Sequence, residues 1–301
     1  MTRDLPLGPA QWATFPGEGE PAHLAPANGF PPQVYAPLLA RLSDRLAPFA
    51  LMPYAMRAPI PPPRDLEWSA LADEMAHHLQ QRGARDLVGL GHSLGGVLTL
   101  MAAVRHPGLF RQLVLMDPVF LPPWILLAMR ALRLIRQEHR FYLAQRARRR
   151  RRVFPDRATA RLHYRNRGLF RNWDTAALDA YVQYGLRPRD DGRVELAYDP
   201  AWEAAIFARV PVDVWRWIRR AGQEGLTAVI LYGEHSEIYR PSVRRRLRQM
   251  WPQARLVCVP GHGHMFPMEA PTITAQLMQK MWPTSAQMAN SPCHEASNSV
   301  Q

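Results

Sequence analysis

The chain is poor in cysteine, lysine and long apolar runs, and each shortage excludes something. Only Cys258 and Cys293 are present. One lies in an apolar strand-like run and the other in a polar tail, so a disulfide framework is not expected and a reducing cytoplasm is. There is no apolar run of about 18 residues, which excludes a transmembrane helix. Met1 to Glu20 has no basic segment leading into an apolar core, so no signal peptide is expected. Lys280 is the only lysine among 38 basic residues. Arginine has replaced it almost everywhere, so the position of charge carries more meaning than the residue type. Acid is scarce in one place above all. Between Arg130 and Arg171 fifteen arginines face only Glu138 and Asp156, so this stretch holds the whole net charge of +13.

What is present describes a globular chain. Its 301 residues are 47% hydrophobic and 21% charged, enough for a large core and long enough for an α/β domain with an insertion. The most informative stretch is Gly89-Leu90-Gly91-His92-Ser93-Leu94-Gly95-Gly96. It follows the short apolar run Asp86-Leu87-Val88 and precedes a helical pattern, Val97 to Val104. Strand, tight turn and helix are the context in which Gly91-His92-Ser93-Leu94-Gly95 reads as a G-x-S-x-G nucleophile elbow. Neighbours without Cβ atoms let strand and helix approach while the serine takes a strained backbone. The following helix aims its positive end at the same spot.

The rest of the chain alternates. Strand-like pieces lie at Gln11–Phe15, Ala22–Ala25, Ala50–Met52, Leu113–Asp117, Thr227–Tyr232 and Leu256–Val259. Helical patterns lie at Leu66–Arg82, Pro241–Met250 and Ala270–Met281, and one begins at Pro37. Such alternation implies a mostly parallel sheet with helices on both faces. After Pro118 strand patterns vanish for about a hundred residues, and helical pieces follow, beginning with Trp124–Arg152. The expected organisation is a first core part at 10–120, a helical, Arg-rich cap at 121–222, a second core part at 223–282 and a disordered tail at 283–301. No internal repeat is visible.

A serine nucleophile needs a base and a group that orients the base. His264 stands in a loop directly after the last strand pattern, from where it can reach the elbow; His262, two residues earlier, is its rival. Two carboxylates compete to orient it. Glu237 follows the strand Thr227–Tyr232 and is favoured; Asp117 ends the strand after the elbow helix and is the alternative. Glu234 reads as solvent-facing or as a cap. An acyl-transfer site also needs two oxyanion donors. The backbone N–H of Leu94 supplies one, and the Asn28-Gly29-Phe30 loop the other, through the N–H of Phe30. The Asn28 side chain is a further donor or a turn former.

These residues resemble the α/β-hydrolase-fold serine hydrolases. The likeness rests on Gly91-His92-Ser93-Leu94-Gly95-Gly96, on Gly263-His264-Met265-Phe266-Pro267 and on Ala27-Asn28-Gly29-Phe30-Pro31, and covers roughly residues 10–282. The last motif is similar to that of a bacterial subgroup of hydrolases. The resemblance implies an eight-stranded sheet, a helical cap, and a Ser–His–acid triad with neither cofactor nor metal. Two positions depart from the pattern. Asn28 replaces a histidine in the oxyanion loop, and Ser236 stands where many members carry the acid, with Glu237 next to it. A serine at the elbow argues against dehalogenase and epoxide-hydrolase chemistry, which needs a carboxylate nucleophile.

The expectation is therefore a hydrolase acting on a small-molecule carboxylic ester with an apolar acyl group. Thioesterase, lactonase or C–C hydrolase chemistry on the same triad is the alternative, because this fold hosts all of them. From another class, the chain could be a non-catalytic member that binds an anionic ligand through the basic block. That block has three readings: a solvated face, a peripheral contact with an anionic membrane led by Trp124-Ile125-Leu126-Leu127, or a phosphate footprint. No nucleic-acid module accompanies it.

Overall fold

A computed structural model describes residues 5–58 and 60–281. The expected tail at 283–301, with Cys293, lies outside them; Cys258 is exposed and free.

The sheet contains β1 (Trp12–Thr14), β2 (Glu20–Ala25), β3 (Leu46–Leu51), β4 (Leu87–His92), β5 (Phe110–Met116), β9 (Ala228–Gly233) and β10 (Ala254–Val259). Three further strands, β6 (Val153–Phe154), β7 (Leu186–Pro188) and β8 (Val194–Leu196), lie apart from it. The order across the main sheet is β1-β3-β2-β4-β5-β9-β10. All neighbours run parallel except β1, which pairs antiparallel to β3 at the edge. Seven strands form this sheet among the described residues, where the resemblance implied eight. The N-terminal segment carries Pro6, Pro9 and Pro16, which cannot donate to a ladder, and contributes only the three-residue β1.

β4 runs through the middle and is buried along its whole length. Parallel strands covered on both faces read as continuous apolar runs for this reason. Alternate side chains divide between two cores. Leu113 and Leu115 join the cluster that includes Leu71, Leu100 and Ile218; Val114 and Met116 join the one that includes Leu38, Leu39 and Met278. The helices Trp68–Gln81, Leu94–Arg105 and Val214–Gln223 pack together on the first side, and Pro271–Met281 covers the second.

Between β5 and β9 the chain builds its insertion. The expected all-helical block is corrected here, because β6, β8 and β7 form a small antiparallel sheet inside it. These strands span only two or three residues, too short for a period of two to show. The expected helix Trp124–Arg152 is also interrupted. It is observed as Pro123–Leu134 and Tyr142–Arg148, parted by Arg136 at φ 54° and a single 3-10 turn. Val214–Gln223, which falls inside the expected cap, packs on the core helix Leu94–Arg105.

His23 on β2 is fully buried and accepts the Leu51 N–H at 3.2 Å. Burial pushes its pKa down from 6.5 to about 3. Between those values the unfolded chain binds a proton that the folded chain refuses, so stability falls as pH drops through this window. The slope from this residue is roughly 1.4 kcal/mol per pH unit. Urea unfolding at several pH values should show a shallower acid limb for His23→Gln, whose amide oxygen can still accept the Leu51 N–H.

Candidate active site

The elbow is a backbone problem before it is a chemical one. Ser93 has φ 56° and ψ −115°, a conformation foreign to most L-residues. It persists because the surroundings leave no other. A Cβ at Gly95 would lie 2.0 Å from the Ala25 carbonyl oxygen, and one at Gly91 would lie 2.6 Å from the Gly95 oxygen. The Ser93 N–H donates to Met116 O at 3.0 Å, and its carbonyl accepts from Val119 at 3.4 Å. The elbow is thereby stitched to the end of β5, where Asp117 stands.

The structure brings Ser93, His264 and Asp117 into one line. His264 Nε2 lies 2.9 Å from Ser93 Oγ, and His264 Nδ1 lies 2.5 Å from Asp117 Oδ2. A carboxylate only accepts, so Nδ1 carries the proton and Nε2 is left to accept from the serine hydroxyl. Asp117 is completely buried. Its Oδ1 accepts the Gly233 N–H at 3.1 Å, and Oδ2 also accepts the Ser236 hydroxyl at 2.8 Å.

The carboxylate that faces His264 is thus the alternative, Asp117, and the favoured Glu237 is exposed on the surface. The reason is positional. β5 and β9 are neighbours in the sheet, so carboxylates from either strand end can reach the same histidine. With the acid on β5, the β9 turn presents a hydroxyl donor, Ser236, in its place. The departure from the family pattern at Ser236 is the signal in the sequence that the acid lies elsewhere. His262, the rival base, faces Glu269 at 3.5 Å. Glu234 accepts the Gly261 N–H at 2.8 Å and so ties down the loop that bears His264.

The oxyanion loop differs from expectation in two respects. The Phe30 N–H turns back on Ala27 O at 3.3 Å, and its ring packs against Phe170, Trp173 and Tyr181 of the insertion. The Asn28 side chain is a tether. Its amide donates to Glu203 O at 3.0 Å, and its oxygen accepts the Tyr198 hydroxyl at 2.8 Å. Gly29 has φ 88°, and a Cβ there would meet the Glu203 carboxyl carbon at 3.0 Å. Glu203 in turn pairs with Arg150, which also reaches the Tyr181 hydroxyl. One arginine of the basic block is therefore spent inside the insertion. The Leu94 N–H opens the helix Leu94–Arg105, where no intrahelical acceptor reaches it.

A second chain of hydrogen bonds, not foreseen, joins these parts. The Ala27 N–H donates to the Tyr35 hydroxyl at 3.0 Å, and Tyr35 Oη lies 2.7 Å from His92 Nδ1. His92 Nε2 lies 2.9 Å from the His264 carbonyl oxygen. That carbonyl only accepts, so His92 holds its proton on Nε2 and accepts from Tyr35 on Nδ1. Burial first, and the nearby His264 second, push the His92 pKa well down, which keeps the ring neutral.

Comparison with known proteins agrees with this architecture. A model of the alpha/beta hydrolase family matches residues 22–277, and the chain belongs to that family. Its fold is similar to E-2-(acetamidomethylene)succinate hydrolase, with TM-score 0.70 and 22% identity over 90% of this chain and 94% of the other. It is also similar to the thioesterase domain from the curacin biosynthetic pathway, with TM-score 0.67 and 16% identity over 89% and 94%. A thermophilic esterase from Thermogutta terrifontis aligns with TM-score 0.62 and 18% identity over 90% and 92%. No curated protein matches the chain in sequence.

Three outcomes follow from the geometry. Asp117→Asn should slow covalent labelling of Ser93 by a fluorophosphonate probe about 10³–10⁴-fold, as loss of the orienting carboxylate does elsewhere. Glu237→Gln should leave the labelling rate within about two-fold, as expected for an exposed side chain. Tyr35→Phe strands the Ala27 N–H and His92 Nδ1, which costs about 1–3 kcal/mol. Thermal unfolding should report that loss, and probe labelling should slow about ten-fold because the loops at Ala27 and His264 are no longer held in register.

Proposed function

We propose that the protein is a serine hydrolase that cleaves a small-molecule carboxylic ester through an acyl-enzyme. The observation that carries this reading is the hydrogen-bonded line Ser93 Oγ, His264, Asp117, at 2.9 and 2.5 Å. His264 takes the Ser93 proton as Oγ attacks the ester carbonyl, then gives it to the departing alcohol. Asp117 holds His264 in the required tautomer and stabilises the imidazolium. The Leu94 N–H receives the oxyanion, and such a donor lowers the barrier by about 3 kcal/mol. Water activated by His264 then releases the acid. Membership of the alpha/beta hydrolase family supports hydrolysis as the reaction class.

An apolar acyl group is favoured by a cavity of about 60 Å³ beside Leu94. Ala25, Ala27, Leu71, Leu98 and Trp202 line it, together with His23 and the Arg57–Glu74 ion pair.

The test is mass-spectrometric mapping of a fluorophosphonate adduct, followed by a panel of esters, thioesters and lactones. Labelling at Ser93 that disappears in Ser93→Ala and in His264→Ala, with turnover of short-chain esters, is the expected result. Faster turnover of thioesters or lactones would move the substrate class and keep the mechanism. A folded protein that fails to label would overturn the reading.

A further inference from the structure

The helix Pro123–Leu134 is apolar on two opposite faces. Leu126 and Met129 are buried in the main core cluster, and Ile125 and Leu132 pack against it. On the other side Trp124, Leu127 and Leu134 are 63%, 69% and 80% exposed, and Ile135 just beyond is 64% exposed. Steps of three and seven residues stack the first three on one face of the helix. Ala128 and Ala131 are exposed between them, so no polar group breaks the stripe. The fold makes no use of these side chains, and a contiguous apolar stripe of this kind marks a contact surface.

The charge around the stripe identifies what it meets. Arg130 is exposed at its edge, and Arg136, Arg140, Arg146, Arg148 and Arg149 are exposed in the segment that follows. Glu138 is the one acid between 123 and 155, and it faces Arg209 at 3.7 Å. We propose that this face docks on an anionic lipid bilayer. Trp124, Leu127, Leu134 and Ile135 enter the boundary between headgroups and acyl chains, and the arginines meet lipid phosphates. A second copy and a nucleic acid each fail to match one of the two features. A second copy would bring two unneutralised arginine surfaces together. A nucleic acid would match the charge and leave the apolar stripe in water. Among the described residues no helix is long and apolar enough to cross a membrane, so the attachment is one that lies on the surface. The proposal stands apart from the hydrolase reading, because binding is measured without turnover.

The experiment is co-sedimentation of the full chain with phosphatidylcholine vesicles and with vesicles containing roughly one third phosphatidylglycerol. Binding is expected to the mixed vesicles alone, and to weaken about ten-fold or more between low and high salt. The double variant Trp124→Ser/Leu127→Ser should lose at least about ten-fold in binding with an unchanged melting temperature, because both side chains are exposed. Arg130→Gln/Arg140→Gln should weaken binding and flatten the salt dependence. Brominated lipids should quench fluorescence of the parent chain and not of Trp124→Phe. Equal binding to neutral vesicles would overturn the proposal, as would binding that survives in the double serine variant. So would a dimer that the double variant dissolves, or tight binding to DNA with none to vesicles.

Discussion

The strained turn at Ser93 is the constraint on which the rest depends. Holding a non-glycine residue at φ 56° costs on the order of 1–3 kcal/mol, and the fold recovers it by leaving the backbone no room to relax. Gly95 lies against the Ala25 carbonyl, and Ser93 bonds through both its N–H and its C=O to residues flanking Asp117. The same contacts that enforce the turn therefore set the distance between β4 and the end of β5. They also bring the first turn of Leu94–Arg105, with its free N–H groups, beside the oxyanion loop. Strain, nucleophile position and acid position are consequences of one packing arrangement.

Around that turn the polar groups form two chains that meet at His264. One runs through its side chain to Asp117, with Ser236 and Gly233 holding the carboxylate. The other runs through its backbone carbonyl to His92, Tyr35 and Ala27. The first sets the tautomer of the imidazole and the second sets where its loop sits. Buried networks of this kind are worth most when every member is satisfied, and here each atom in the two lines has a partner.

The insertion presents a different chemistry on each side. Inward, Asn28, Tyr198, Glu203 and Arg150 clamp the oxyanion loop, and Phe30 is wedged among three aromatic rings. Outward, it carries nearly all the unbalanced positive charge and an apolar helical stripe.

Several features were legible in the sequence because they are local. The elbow is a run of glycines around one serine, and the strand-turn-helix context lies within twenty residues of it. His264 carried its own motif at the end of a strand. Periodicity placed the long core helices to within a few residues, because an amphipathic stripe repeats along the chain. Asp117 and Glu237 looked alike for the opposite reason. Both follow strands, and the neighbours in sequence of each say nothing about which carboxylate lies inside. That choice belonged to the tertiary structure, where the adjacency of β5 and β9 buried Asp117 and made Ser236 its donor. The Tyr35–His92 relay and the Asn28 tether join residues 57 and 175 positions apart, and the strands of the insertion are too short to show a period. Local pattern singled out Ser93, His264 and the fold class; which carboxylate faces His264, and the clamps on the site, were decided only when distant segments packed together.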